Sequence, residues 1–262
     1  EGASRPRAIL FLNAGANPRM GWARQTVRYA RALARLGWTS LRIDAAGLGD
    51  SPRRVDRPAE IPYSDAPQAD VIAALDLLAA RGFADAAVIG PCSGAHLGFH
   101  TALRDPRIAQ LAMINLQAFV WTPGRSLAIA MRQSTRSAQH YRQRLFQLDT
   151  WRRLVAGGVD VRTIASGVAA RLRRRGAERL KALASGGAND ATILARFQAL
   201  AARGQQALLI YSDNDGGLDE LAAHLGPNGA RLASLPDMRV ELLPDADHNL
   251  TSPAMQARLL QI

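Results

Sequence analysis

The residues of this sequence best suited to chemistry are the five at positions 90 to 94, Gly-Pro-Cys-Ser-Gly. An apolar run at 86–89 precedes them, and a helix-like segment at 95–103 follows. A strand, a sharp turn and a helix in this order form a nucleophile elbow, in which the turn exposes a reactive side chain. The pattern therefore predicts that the turn carries a nucleophile.

Two adjacent side chains in this turn, Cys92 and Ser93, could each be that nucleophile. Side chains two residues before and two after a nucleophile in so tight a turn would collide, so glycine is favoured at both positions. Gly90 and Gly94 flank Cys92 in this way, whereas proline and alanine flank Ser93. The spacing favours Cys92, although the pentapeptide alone fits a buried core cysteine equally well.

Two carboxylates and a histidine follow later in the chain, each just after a predicted strand. Asp213 and Asp215 follow the strand predicted at 207–211, and His248 lies in a loop after the strand predicted at 239–243. The chain order is thus nucleophile, acid, histidine. Asp215 is preferred as the acid, and Asp213 stays an alternative.

The five histidines also have structural interpretations. His248 could cap a solvated turn with its acidic neighbours. The other four are interpreted as structural: His96, His100, His140 and His224. Of these, His96 lies one helical turn beyond the cysteine, where it could also approach the site. Because no group of His, Cys and Asp has the spacing of metal ligands, no metal and no cofactor is expected.

The elements that must position these residues alternate along the chain. Strands are predicted at 7–13, 38–43, 86–89, 110–116, 207–211 and 239–243, and helices at 22–36, 68–80, 95–103, 219–225 and 253–260. Such alternation predicts a doubly wound, mainly parallel α/β sheet covered on both faces. We expect residues 1–120 and 206–262 to form this core. Residues 121–205 contain helix-like stretches and no convincing strand, which indicates an inserted helical cap.

The positive charge of the chain is concentrated in the predicted cap. The formal net charge is +11, and residues 121–205 alone carry 16 basic and 4 acidic side chains. Such a surface attracts polyanions and binds phosphate through arginine forks. The expected binding residues are Arg171, Arg173, Arg174 and Arg175. A solvated helical face is the alternative, and no nucleic acid is expected, since reading motifs and stacking aromatics are lacking.

The order of Cys92, Asp215 and His248 resembles the α/β-hydrolase superfamily, and the resemblance covers nearly the whole chain. Residues 44–51 resemble the family's Asp-x-x-Gly-x-Gly-x-Ser turn. A closer similarity is to cysteine-bearing hydrolases associated with exosortase systems. The features shared with them are Cys-Ser-Gly-Ala at 92–95, an early Asn-Ala-Gly loop at 13–15 and a late Asp-His-Asn-Leu at 247–250.

The resemblance implies a Cys-His-Asp triad. Cys92 would attack an acyl carbonyl as a thiolate, which the helix N-terminus and an imidazole both favour. His248 would transfer the proton, and Asp215 would orient the imidazole. The expected oxyanion-hole donors are the backbone N–H groups of Ser93 and of Ala14 or Gly15.

A cysteine nucleophile suits acyl exchange, because its thioester intermediate can form from another thioester with little change in energy. We therefore expect a thioesterase or acyltransferase that acts on acyl thioesters, carried by an acidic acyl carrier protein or by CoA. A carboxylic ester or lactone hydrolase is one alternative. A catalytically silent binding module of the same fold is another.

Composition bears on location. No apolar run approaches the roughly 20 residues that span a bilayer, and the first residues lack a signal-peptide pattern. A single cysteine excludes an internal disulfide. These features predict a cytoplasmic protein, and the absence of an initial Met predicts a trimmed chain or a domain of a longer protein.

Overall fold

The structure, a computed structural model, describes residues 7–54, 63–121 and 188–262. Within them, six parallel strands form one sheet: β1 Arg7–Phe11, β2 Thr39–Arg42, β3 Asp85–Pro91, β4 Ile108–Ile114, β5 Gln206–Ser212 and β6 Met238–Leu243. The order across the sheet is β2-β1-β3-β4-β5-β6. Every neighbouring pair is parallel, so the predicted parallel α/β fold is confirmed.

Helices connect the strands. They are α1 Gln25–Arg35, α2 Gln68–Ala80, α3 Ser93–Ala102, α4 Ala188–Ala202, α5 Gly217–Leu225 and α6 Pro253–Leu259. Short 3-10 helices span Trp22–Arg24 and Pro227–Leu232. No helix in the described ranges has the length and hydropathy to cross a membrane.

Alternate residues of the central strands face different layers. In β1, Ala8 and Leu10 join the main core, which also contains side chains of α2 to α5. Ile9 and Phe11 face the other way and pack with Tyr29 of α1. Because successive side chains of a strand point to opposite faces, this pattern requires apolar helices on both faces of the sheet.

The central strands end at the same edge of the sheet. In the register of β3 with β4, Pro91 pairs with Ile114, and in that of β4 with β5, Ile114 pairs with Ile210. The loops that follow these strands therefore meet at one edge, where parallel sheets bind ligands.

Of the predicted cap segment 121–205, the structure describes residues 121 and 188–205, and helix α4 makes up most of them. Its Ile193, Phe197 and Leu200 are fully buried in the main core, so this helix covers the sheet. The remainder of the predicted cap, 122–187, lies outside the described residues. The predicted binding residues lie in the same undescribed segment: Arg171, Arg173, Arg174 and Arg175.

Candidate active site

Cys92 lies in the turn between β3 and α3 with φ 53° and ψ −114°, a strained conformation for a residue with a side chain. Its N–H donates to the carbonyl of Ile114 at 2.8 Å, which ties the turn to β4. The cysteine is half-buried. Backbone strain of this kind persists only where the surroundings hold it.

The two flanking glycines are required for different contacts. A Cβ on Gly90 would lie 2.2 Å from the carbonyl oxygen of Gly94, which is the predicted collision across the elbow. A Cβ on Gly94 would instead lie 2.4 Å from the carbonyl oxygen of Asn13. The second glycine therefore lets the loop after β1 approach the elbow.

His248 and Asp215 form a buried pair beside the elbow. Nδ1 of His248 donates to Oδ2 of Asp215 at 2.5 Å, and the Asp215 side chain is fully buried. Asp213 faces elsewhere, where its carboxylate accepts the N–H of Asp245 at 3.1 Å. The structure thus brings Asp215, and not Asp213, to the imidazole.

The charge state of His248 depends on both of its neighbours. Burial lowers the pKa of His248, but hydrogen bonds to Asp215 and to Cys92 outweigh burial and raise that pKa to about 10. Because Nδ1 is held by the carboxylate, Nε2 is the nitrogen left for the thiol. Cys92 lines the same groove as His248, so the acid–imidazole pair adjoins the thiol, and the imidazolium is favoured at neutral pH.

Gln117 lies three residues after the end of β4 and contacts the carboxylate of Asp215. Its Nε2 donates to Oδ1 of Asp215 at 2.6 Å and lies 3.3 Å from Nδ1 of His248. The N–H of Gly217 donates to the same oxygen at 2.7 Å. The sequence interpretation missed Gln117, because a glutamine belongs to no motif. Its position just past the carboxyl end of a central strand was the only signal.

A second polar pair holds the histidine loop. Nδ2 of Asn115 donates to Oγ of Ser212 at 3.0 Å and to the carbonyl of His248 at 2.9 Å. Oγ of Ser212 donates to the carbonyl of Asp247 at 2.9 Å. Asn115 and Ser212 are both 1% exposed, so this loop is anchored from within the protein.

The loop after β1 contacts the elbow through Ser93. The N–H of Gly15 donates to Oγ of Ser93 at 2.7 Å. Ala14 lines the same groove as Cys92. Of the two candidate oxyanion donors in this loop, Ala14 and Gly15, the N–H of Gly15 thus already donates to a side chain.

Asn13 anchors this loop to the turn after β2. Its Nδ2 donates to Oδ1 of Asp44 at 3.1 Å and to the carbonyl of Asn17 at 2.9 Å, and its Oδ1 accepts the N–H of Ala45 at 3.0 Å. The Asp44 carboxylate is buried against Arg19. Burial raises the pKa of Asp44, but the hydrogen bonds from Asn13 and Arg19 outweigh burial and lower it.

Glycines and a serine of the Asp-x-x-Gly-x-Gly-x-Ser segment fit around Asp44. A Cβ on Gly49 would lie 2.3 Å from the carboxylate. Ser51 donates its hydroxyl to the Asp44 carbonyl at 2.8 Å. The segment therefore supports the loop that reaches the elbow.

Tyr63, which the sequence interpretation also missed, contacts the thiol. Its hydroxyl oxygen lies 3.7 Å from Sγ of Cys92. Its ring stacks on Trp121, with centroids 4.5 Å apart, and meets the ring of His96 edge-on. An aromatic wall therefore borders one side of the cysteine.

His96 and His100 lie behind this wall on α3. Nδ1 of His96 contacts the carbonyl of Ala118 at 2.8 Å, and Nε2 of His100 contacts that of Phe119 at 2.9 Å. Burial lowers the pKa of His96 to about 4 and also lowers that of His100. Both are neutral rings that bind the backbone after β4.

Of the two remaining histidines, the structure describes one. His224 pairs with Glu220 at 3.4 Å on α5, and His140 lies outside the described residues. Across the described ranges, no group of three or more His, Cys, Asp or Glu side chains could hold a metal ion.

Comparisons with known proteins agree with this architecture. Residues 7–251 match the sequence model of the alpha/beta hydrolase fold family. No curated protein sequence matches the chain. Among solved structures, it resembles the alpha/beta hydrolase domain-containing protein 10 from mouse, with 16% identity and a TM-score of 0.53, covering 97% of this chain and 86% of that one.

Two bacterial structures show the same likeness. A meta-cleavage product hydrolase from Pseudomonas fluorescens IP01 is 14% identical, with a TM-score of 0.51 over 99% of this chain and 89% of that one. A probable hydrolytic enzyme from Pseudomonas aeruginosa PAO1 is 22% identical, with a TM-score of 0.50 over 98% and 83%. These structures share the fold, and the family match extends over most of the sequence. The chain belongs to the alpha/beta hydrolase fold family.

Proposed function

We propose that this protein is a cysteine-dependent acyl-transfer enzyme, a thioesterase or acyltransferase, that acts on acyl thioesters. The observation that carries the proposal is the buried pair of Asp215 and His248 in the groove that Cys92 also lines. A carboxylate, an imidazole and a nucleophile in this order are the components of covalent acyl transfer.

The first half-reaction begins with attack of the Cys92 thiolate on the carbonyl carbon of the donor thioester. The thiol proton resides on His248, whose imidazolium Asp215 stabilises and orients. The carbonyl electron pair moves to its oxygen, which forms a tetrahedral oxyanion. When the oxyanion collapses, the donor C–S bond breaks, the leaving thiolate takes the proton from His248, and the acyl group remains on Cys92.

The oxyanion is bound by backbone N–H groups. The N–H of Ser93 begins α3, where the helix N-terminus favours negative charge. Ala14 is the better candidate for the loop donor, because the N–H of Gly15 already donates to Oγ of Ser93. That contact holds the loop against the elbow.

The second half-reaction releases the acyl group. His248, now neutral, removes a proton from water or from another acceptor, which attacks the acyl–Cys92 carbonyl. Collapse of the second oxyanion breaks the bond to sulfur, and His248 returns its proton to the Cys92 thiolate.

The donor is proposed to be linked to CoA or to an acidic acyl carrier protein. The basic side chains between 121 and 205 support this partner by charge. The proposed contacts are the arginine cluster Arg171, Arg173, Arg174 and Arg175.

Intact-mass measurement tests the function directly. Wild type and Cys92→Ala are each mixed with acyl donors linked to pantetheine, CoA and a carrier protein. We expect an acyl adduct on wild type alone, with carrier-linked transfer weakening as salt rises.

The controls separate the competing functions. Turnover of simple esters or lactones without thioester turnover would favour the hydrolase alternative. Absence of any adduct and of any turnover, with the protein folded by circular dichroism, would overturn the proposal in favour of a silent binding module.

A further inference from the structure

One groove is lined by Cys92 and His248 together with residues of α1 and α6. Its enclosed volume is about 30 Å³. Apolar side chains line its length: Phe11, Leu12, Trp22, Ile89 and Leu259. Such a groove fits a narrow chain better than a bulky group.

Two buried polar side chains face this apolar groove. Gln25 and Tyr29 line it and are 8% and 6% exposed. Among the described residues, neither Oε1 of Gln25 nor the hydroxyl of Tyr29 has a hydrogen-bond partner. Being four residues apart on α1, they share one face of the helix. Buried polar atoms are nearly always paired, and of the unpaired buried atoms in the described residues these two alone belong to side chains that line the groove with Cys92.

The chemistry of the two atoms is complementary to an amide. Oε1 of Gln25 can only accept a hydrogen bond. Burial raises the pKa of Tyr29 to about 12, against a small opposing effect of Arg28, so its hydroxyl is a donor at neutral pH. A secondary amide supplies one N–H and one C=O, which satisfy both.

We propose that this groove binds the amide-bearing arm of the donor's thiol, a pantetheine-type chain, with Gln25 accepting an amide N–H and Tyr29 donating to an amide carbonyl. The inference rests on the proposed function and names the part of the substrate that this groove takes.

The position of His248 assigns the groove to the thiol and not to the acyl chain. The leaving sulfur receives its proton from His248, so the arm attached to that sulfur extends from the histidine side of the site. His248 and Leu250 line the groove. The acyl chain is then assigned to the aromatic side of the thiol, formed by Tyr63 and Trp121, which do not line the groove.

A kinetic comparison tests the assignment with two donors that carry the same acyl group. One is the N-acetylcysteamine thioester, which has an amide, and the other is a pentyl thioester of similar length without one. Wild type should prefer the amide donor in kcat/KM. Tyr29→Phe and Gln25→Met should each reduce that preference about tenfold, because the bound amide loses a partner.

Tyr211→Phe is the matched control. Tyr211 is fully buried in the main core, its hydroxyl has no hydrogen-bond partner among the described residues, and it does not line the groove. Its removal should leave the preference between the two donors at the wild-type ratio. An unchanged ratio in Tyr29→Phe and Gln25→Met as well would overturn the assignment.

Disulfide exchange measures recognition of the arm without acyl transfer. The chain has one cysteine, so its thiolate attacks pantethine, the S–S bond breaks, a Cys92–pantetheine disulfide forms and one pantetheine thiolate leaves. The comparison reagent is bis(2-hydroxyethyl) disulfide. The pantetheine adduct should survive about tenfold more 2-mercaptoethanol, and Tyr29→Phe and Gln25→Met should abolish this advantage.

The two measurements distinguish the two proposals. A protein that shows the disulfide preference but never accepts an acyl group contradicts the proposed function alone. A protein that accepts acyl groups equally from both donors, without a disulfide preference, contradicts the groove assignment alone.

Discussion

At the scale of single residues, the hydrogen bonds of one carboxylate decide how the histidine is held. Asp215 accepts from His248, Gln117 and Gly217, and it is 2% exposed. A fully partnered carboxylate cannot rotate, so it presents one oxygen to Nδ1 and fixes the ring orientation. Asp213, two residues earlier, has none of these partners.

The first prediction concerns Asp215→Asn. Contacts with Asp215 and with Cys92 raise the pKa of His248 to about 10 against burial. Without the carboxylate that pKa falls and less imidazolium is present at pH 7, so the Cys92 thiolate loses part of the stabilisation by its cationic neighbour. Alkylation of Cys92 by iodoacetamide should then require a higher pH and fall at pH 7 by about tenfold or more.

Asp213→Asn removes an equivalent carboxylate that does not contact the imidazole. Its alkylation profile should follow the wild type. A parallel shift in both variants would show that overall charge, and not the contact with His248, governs the thiol.

At the scale of elements, the elbow and the loop after β1 act as one unit. Gly94 lets the Asn13 carbonyl approach α3, and Ser93 then holds the N–H of Gly15. Asn13 links the same loop to the turn at Asp44. Loops that carry reactive groups need such anchoring, because free loops move too much to hold an oxyanion.

Gly94→Ala should therefore damage catalysis by displacing the loop. The added Cβ would lie 2.4 Å from backbone that cannot rotate away. Moving one oxyanion donor costs on the order of 10²-fold in kcat. Acyl-donor turnover by the folded fraction measures this loss.

Gly98→Ala, one turn later on α3, is the matched control. Its Cβ would meet the flexible end of Leu111 at 2.9 Å, which can adjust. We expect near-normal turnover there. Equal losses in the two variants would assign the effect to α3 and not to the loop.

At the scale of the whole molecule, two buried rings make the stability of the fold sensitive to acid. His96 and His100 bind the backbone after β4 from within α3. In the folded protein, burial keeps both side chains neutral. In the unfolded chain, the same side chains would become protonated near pH 6.5. The main core therefore contains groups that favour unfolding once they are charged.

Acid should destabilise the protein between pH 6.5 and pH 4. With the folded pKa of His96 at about 4, the unfolded state binds more protons throughout this range, so the free energy of unfolding falls as pH falls. The contribution of His96 reaches about 3 kcal/mol, and His100 adds to it. Urea unfolding at stepped pH measures the slope.

His96→Gln keeps a polar group against the Ala118 carbonyl and cannot titrate. Its stability at pH 7 is expected to be lower, but its loss between pH 6.5 and pH 4 should be smaller than that of wild type. Identical slopes in the two proteins would contradict the assignment.

What the sequence by itself determined is local or periodic. The alternation of apolar strands and helices predicted a parallel α/β sheet, because connection length and hydrophobic period restrict the topology. The glycines around Cys92 favoured this residue as the nucleophile, and the chain order indicated Asp215 and His248 as its partners. Each depends on dihedral angles or chain order, which neighbouring residues specify.

Only the tertiary structure decided which residues meet. Gln117 and Asp215 are 98 positions apart, and Tyr63 is 29 positions from Cys92. These contacts, and the groove that Gln25 and Tyr29 line together with Cys92, depend on strand register and on how helices pack against the sheet. No local preference of the chain encodes such distances, because they arise from the packing of elements remote in sequence.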